Sequence, residues 1–121
     1  MIPTEEEEQV AVVEYMELRG HTYTHVPNST FTKSWKVKTR NKRMGVRPGI
    51  PDLIAIIHNN LVFIEMKRVK GGILSPAQKE WIAALEDAGQ TVWVCRGASD
   101  AIKQIQSIEK FYRKEEQHGG D

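Results

Sequence analysis

Two short runs rich in β-branched residues, Asp52–Ile57 and Leu61–Lys67, flank the segment His58-Asn59-Asn60. Asparagine tolerates the backbone of a tight turn, so this stretch predicts a β-hairpin. Strand side chains alternate between faces, which puts Leu61, Phe63, Glu65 and Lys67 on one side and Val62, Ile64 and Met66 on the other. In the partner strand Asp52, Ile54 and Ile56 share a face. With an even loop, Asp52 lies opposite Glu65 or Lys67, and either register gathers Asp52, Glu65 and Lys67 on one face, far from the turn. An odd loop would separate them. With an even loop, the chain folds around an apolar hairpin that gathers three charges at its open end.

The rest of the sequence supplies the covering elements. Thr4 followed by four glutamates marks a helix N-terminus. Val10, Val13, Tyr15, Met16 and Leu18 give that helix an apolar side, and Gly20 stops it. His21–Val26 is a weak strand ending at Pro27-Asn28. Residues 28–49 follow neither period and are expected as a long loop, with room for a short helix or hairpin. After Gly71-Gly72, Ser75-Pro76-Ala77-Gln78 opens a helix carrying Ala77, Trp81, Leu85 and Ala88, ended by Gly89. Thr91–Cys95 is a strand. Ser99 is expected to cap a last helix with Ile102, Ile105, Ile108 and Tyr112 inward, and residues 115–121 read as a frayed tail. At 121 residues, with 40% hydrophobic and 27% charged, this is one globular domain over 1–114. The order α-β-β-β-α-β-α makes it an α/β fold.

Several classes fall away. Apolar runs such as Leu53–Ile57 are far short of the roughly 20 residues that cross a bilayer. The acidic N-terminus is unlike a secretory signal. The single cysteine, Cys95, cannot form an internal disulfide and suits a reducing cytoplasm; its apolar strand predicts an inert buried thiol. Four histidines with one cysteine give no zinc-finger spacing. The net charge of +1 decides nothing, but its placement does. Lys33, Lys36, Lys38, Arg40, Lys42, Arg43 and Arg47 stand in a segment without acids, whereas residues 5–17 hold six glutamates and no base. A chain so polarised can bind a polyanion locally.

The charged end of the hairpin admits two readings. Lys67 and the carboxylates can form an ion pair on a solvated sheet face. Alternatively, two close carboxylates, each raised in pKa by the other, are reconciled by a hard divalent ion such as Mg²⁺. Asp52 and Glu65 then supply side-chain oxygens and Met66 a backbone carbonyl. Lys67 orients or deprotonates the attacking water and offsets phosphate charge.

Gly49-Ile50-Pro51-Asp52, Glu65-Met66-Lys67 and Ser75-Pro76-Ala77-Gln78 with Trp81, in that order, resemble the virus-type replication-repair nuclease (VRR-Nuc) branch of the PD-(D/E)XK nucleases. The resemblance runs over roughly residues 5–97. It implies a restriction-endonuclease-like core, a mixed β-sheet flanked by helices. It implies Asp52 and Glu65 as metal ligands, Lys67 as the catalytic lysine and Gln78 as a polar residue reaching the site from its helix. Gln78 is equally placed to complete a capping box with Ser75. The family also sets a glutamate of the first helix near the metal; among Glu5, Glu6, Glu7 and Glu8, Glu8 is preferred, with Glu7 second and Glu14 less favoured. The implied activity is Mg²⁺- or Mn²⁺-dependent endonucleolytic cleavage of DNA, on branched substrates such as Holliday junctions, by a homodimer in a bacterial or phage replication, recombination or repair setting. The alternatives are a non-catalytic DNA-binding module that keeps the fold, and an assembly protein with an incidental motif.

The basic segment 33–47 is expected to grip DNA phosphates, against the plainer reading of a solvated loop. Trp35 either stacks on an exposed base or anchors the segment. Trp81 is expected as a core anchor, His21 and His25 in surface or packing roles, His58 in the turn, and Asn28 as a turn or site-edge residue.

Overall fold

In the computed structural model, residues 2–27 and 33–119 are described; Asn28 lies outside them, and at 117–119 only the backbone is described. The elements are α1 (Glu5–Leu18), β1 (Thr22–His25), α2 (Trp35–Arg43), β2 (Leu53–Ile57), β3 (Asn60–Lys67), α3 (Pro76–Asp87), β4 (Thr91–Arg96) and α4 (Ala98–Gly119). The strands form one mixed sheet in the order β1-β2-β3-β4, antiparallel except for the parallel β3–β4 pair. Helices pack on both faces, as the restriction-endonuclease-like α/β core requires. No described helix is long and apolar enough to cross a membrane.

The hairpin turn is the two-residue loop His58-Asn59, both with positive φ (48° and 67°), the geometry whose twist matches paired strands. Asn60 begins β3, and its side-chain amide donates to the carbonyls of Ile57 and His58. The loop is thus even. Register runs from Ile57 opposite Asn60 to Leu53 opposite Ile64, so its continuation sets Asp52 opposite Glu65.

The core lies on the face covered by α1 and α4. Leu53, Ala55, Ile57, Val62, Ile64, Met66 and Cys95 of the sheet meet Val12 and Met16 of α1 and Ala98, Ala101 and Ile105 of α4. The apolar side of α1 therefore differs from expectation: Val10 and Leu18 are exposed, and the i, i+4 pair Val12 and Met16 is buried. α3 covers the opposite face without fully burying any of its residues. Trp81 is half-buried and lines a groove with Arg47 and Pro48, so it holds a loop against α3 and does not anchor the core.

The room left for a short helix in 28–49 is taken by the nine-residue α2, capped by the Ser34 side chain on the Val37 amide. It has no apolar stripe to give a helical period, hence its reading as a loop. Ser99 does not cap α4; the Ala98 amide is met by the Glu8 carboxylate at 3.0 Å. The backbone of α4 runs to Gly119.

Candidate active site

Asp52 and Glu65 are joined at the point where β2 stops pairing. Each residue of β3 that pairs with β2 turns both its N–H and its C=O toward that strand, at every second position. After Leu53 with Ile64, the next such pair would be Pro51 with Met66. Proline has no N–H to donate. The Met66 amide instead donates to Asp52 Oδ2 at 2.7 Å. The Met66 carbonyl is left without the ladder donor that any other residue at position 51 would bring. Asp52 itself is fixed through its backbone carbonyl, which accepts from the Val26 amide at 2.8 Å and from His25 Nδ1 at 2.9 Å.

Glu65 is 1% exposed. Its Oε2 accepts from Gln78 Nε2 at 3.3 Å and lies 3.9 Å from Lys67 Nζ. Its Oε1 is buried without a donor. Burial pushes the Glu65 carboxyl up to about 9, reinforced by the Asp52 charge and by a hydrogen bond that only a shared proton could make; Lys67 pulls the other way and Glu5 adds to the rise.

Lys67, 6% exposed, donates to Gln78 Oε1 at 3.0 Å. The same oxygen accepts from the Ser75 amide at 2.9 Å, and the Gln78 amide donates back to Ser75 Oγ at 3.1 Å. One Gln78 side chain thus completes the capping box and ties Lys67 to Glu65. The start of α3 is positioned by Gly49, at φ +100°, where an added Cβ would lie 2.5 Å from the Ala77 carbonyl. Only glycine lets the loop approach so closely. From the other side, Gly72 lies against the Lys67 stem, where a Cβ would come within 3.4 Å of its Cβ and Cδ. Arg96 Nη1 donates to the Gly72 carbonyl at 2.6 Å and fastens that loop.

The four N-terminal glutamates separate in space. Glu7 completes the capping box with Thr4. Glu8, preferred from the sequence, is engaged elsewhere: its carboxylate holds the Ala98 amide and sits where a Cβ on Gly97 would be. Glu5 is the one whose charge acts on Glu65. Of the roles missed from the sequence, those of His25, Arg96 and Gly72 had no local signal, because each depends on how a strand meets a neighbouring strand or loop.

Lys36, Lys38, Arg40, Lys42 and Arg43 are all on α2, with Lys33 and Arg47 flanking it, and all seven are exposed. None forms an ion pair with an acid among the described residues. Cys95, fully buried, has its thiol pushed up to about 12 by burial and then by the Asp100 charge, so it is unreactive. His21 does have a packing role, bonded to Glu109 at 2.7 Å.

The VRR-NUC domain model matches residues 3–99. The chain belongs to the VRR-NUC domain family. It is similar to a solved structure described as a VRR_NUC domain protein, at 29% identity and a TM-score of 0.71, covering 91% of each chain. A second, described as a VRR_NUC domain, shares the fold at 21% identity and a TM-score of 0.59, over 91% of this chain and 99% of the other. Among the curated proteins, none matches. This VRR-NUC chain is accordingly a nuclease-type, DNA-processing domain.

The donor set fits a hard cation. Among the described residues no group of three or more His, Cys, Asp or Glu side chains is arranged to hold a metal. The VRR-NUC site offers instead two close carboxylates, a buried carboxylate oxygen without a donor and a backbone carbonyl released by Pro51. Oxygen donors of this kind, few in number, are what Mg²⁺ accepts while keeping room for water and phosphate.

Proposed function

We propose that this domain is a metal-dependent DNA endonuclease, selective for branched DNA and acting as a homodimer in replication, recombination or repair. The observation that carries the reading is the donorless Oε1 of Glu65 beside Asp52, with Lys67 held on the same face by Gln78. Such a pair is relieved only by a shared proton or by a cation, and a non-catalytic descendant has no physical reason to keep it.

Asp52, Glu65 and the Met66 carbonyl would hold Mg²⁺, or Mn²⁺. When bound, the ion supplies positive charge to the scissile phosphate and to its attacking water. The chain's own residues do the remainder. Gln78 fixes the Lys67 ammonium in one position, from which it donates to a phosphate oxygen or orients the water. Its placement before reaction spares reorganisation as charge develops. The Gly49 loop and α3 wall this region from one side. Lys33, Lys36, Lys38, Arg40, Lys42, Arg43 and Arg47 hold the DNA backbone and fix its register without reading sequence. A four-way junction presents two equivalent strands, which a two-fold dimer would cut with two sites.

The test is cleavage of labelled four-way junction, flap and linear duplex with Mg²⁺, Mn²⁺ or EDTA, for the natural chain, Asp52→Ala and Lys67→Ala. Paired symmetric nicks on the junction, abolished by EDTA and by both substitutions, are expected, together with a dimer mass by light scattering. Cutting of duplex or flap alone would remove the junction from the reading. Tight, salt-sensitive binding without cutting in either metal would replace the nuclease by a binding module.

A further inference from the structure

We propose that α2 is a base-stacking wedge, in which Trp35 takes an unpaired nucleobase and thereby makes the domain prefer branched DNA. The proposal rests on DNA being the substrate and names what the basic helix recognises beyond the phosphates.

α2 is unusual in its packing. It buries none of its residues and makes no substantial contact with another helix or strand. Nine residues are too few for a stable helix in water without tertiary support. Lys36 with Arg40, and Lys38 with Lys42, stand four apart on the helix surface, where like charges repel. The Ser34 cap and the basic last turn favour the helix, but no acid on α2 relieves the repulsion. A polyanion would relieve it.

Phosphates alone do not account for Trp35. It is 77% exposed, whereas Trp81 and Trp93 are both half-buried. At that exposure it is not packed into the described sheet or helices, which favours stacking over anchoring among the two alternatives open from the sequence. It lines a groove of about 340 Å³ with Lys36, Thr39, Arg40, Arg43 and Met44. Trp35, Thr39 and Arg43 form one row at four-residue spacing, and Lys36, Arg40 and Met44 the next. An indole face thus opens between cations, the combination of aromatic platform and positive groove by which single strands are held. In the interior of an intact duplex both faces of every base are already stacked. At a junction, flap or bulge one face opens, and only there can Trp35 gain a stacking partner.

The test measures binding in EDTA, independent of cleavage, by anisotropy of three labelled DNAs of equal length: linear duplex, duplex with one bulged base, and four-way junction. Trp35→Ala is expected to weaken binding to the bulge and junction by roughly ten- to a hundredfold and to linear duplex by less than about threefold. Trp35→Phe should restore most of the loss. With 2-aminopurine as the bulged base, the natural chain should quench its fluorescence and Trp35→Ala should not. Equal weakening on all three DNAs, or no weakening on any, overturns the wedge. If the natural chain shows no salt-dependent binding to any DNA, the substrate reading fails as well; if it binds and cuts while Trp35→Ala discriminates unchanged, only the wedge fails.

Discussion

Replacing Glu65 with glutamine should stabilise this domain when no divalent ion is present, and the gain should depend on pH. Glutamine copies the shape of the protonated carboxyl and removes the charge that faces Asp52. Two unit charges about 4 Å apart at an effective dielectric near 20 repel by about 4 kcal/mol. Lys67, 3.9 Å from Oε2, offsets part of this, and burial of a 1%-exposed carboxylate adds to it. The balance is the rise of the Glu65 carboxyl to about 9, against 4.5 in the open chain. For an acid raised in this sense the unfolded chain loses its proton first. Stability from the protonated group is therefore complete below about pH 4.5, falls as pH climbs and is lost at about pH 9. One pKa unit corresponds to about 1.4 kcal/mol, so several kcal/mol are at stake by pH 8.

Thermal unfolding by circular dichroism, in EDTA at pH 5 and pH 8, measures this. Each kcal/mol is worth roughly 3–6 °C in a domain of this size. Glu65→Gln should melt within a degree or two of the natural chain at pH 5 and at least about 5 °C above it at pH 8. Adding Mg²⁺ at pH 8 should raise the natural chain and leave the variant nearly unmoved, since the ion settles a conflict the variant lacks. A variant less stable than the natural chain at both pH values would refute the argument. So would an equal Mg²⁺ effect on both proteins, because the ion would then be acting elsewhere.

Gln78→Ala should lose about 1 kcal/mol of stability and cut turnover on the order of a hundredfold, whereas Ser75→Ala should lose a similar stability but keep turnover, separating the cap from the Lys67 tether in one comparison of melts and cleavage rates. Glu8→Ala should cost about 1 kcal/mol through the α4 terminus without changing turnover of the folded protein; Glu5→Gln should instead lower the Glu65 titration midpoint, read by carboxyl NMR in the metal-free state. Arg96→Ala should free the Gly72 loop and lower kcat more than KM rises, with Arg96→Lys giving partial recovery. Burial alone would raise Glu109, but hydrogen bonds from Tyr15, His21 and Arg19 outweigh it and hold its carboxyl below the ordinary value. That stability is present above the unfolded value near 4.5 and is lost as pH falls through the lowered folded one. Glu109→Gln should therefore cost about 2 kcal/mol at pH 7, a difference that closes toward pH 3 in acid melts.

That Asp52, Glu65 and Lys67 share a face was legible for an even loop, because strand side chains alternate with a period of two; the two-residue turn His58-Asn59, which the sequence left open, then sets Asp52 opposite Glu65. Lys67 followed from the same alternation, whereas the cap spacing read only the capping role of Gln78 and its place beside Lys67 was implied by the family resemblance. What else the sequence left open depends on how separate elements dock. Four consecutive glutamates cover one turn of α1, and which of them faces Glu65 is decided by the seating of Val12 and Met16 on the sheet. The α2 helix offered no apolar face to read, because Trp35 and Val37 are its apolar residues and both are exposed. The Glu109 network joins residues 94 and 88 positions apart, Tyr15 and His21, so no local pattern announces it.

The two ends of the hairpin are built on opposite terms, and that contrast explains how the site persists. At the turn, Asn60 bonds the Ile57 and His58 carbonyls and the Tyr112 hydroxyl, and His58 stacks on Tyr112 at 4.9 Å with the rings 4° from parallel. Nearby, both oxygens of buried Glu109 are engaged, one by Tyr15 and the other by Arg19 and His21. At the open end, Pro51 removes a ladder donor, two carboxyls confront each other and Glu65 Oε1 goes without a partner. A local conflict survives only where the surrounding structure over-determines the geometry. Here the determination comes from the satisfied end: the turn fixes the register, the register fixes Asp52 against Glu65, and neither strand can slip by one residue without turning its apolar face to water. A substitution that loosened the turn would therefore be expected to reach the Asp52–Glu65 end through register, although the two lie at opposite ends of the strands.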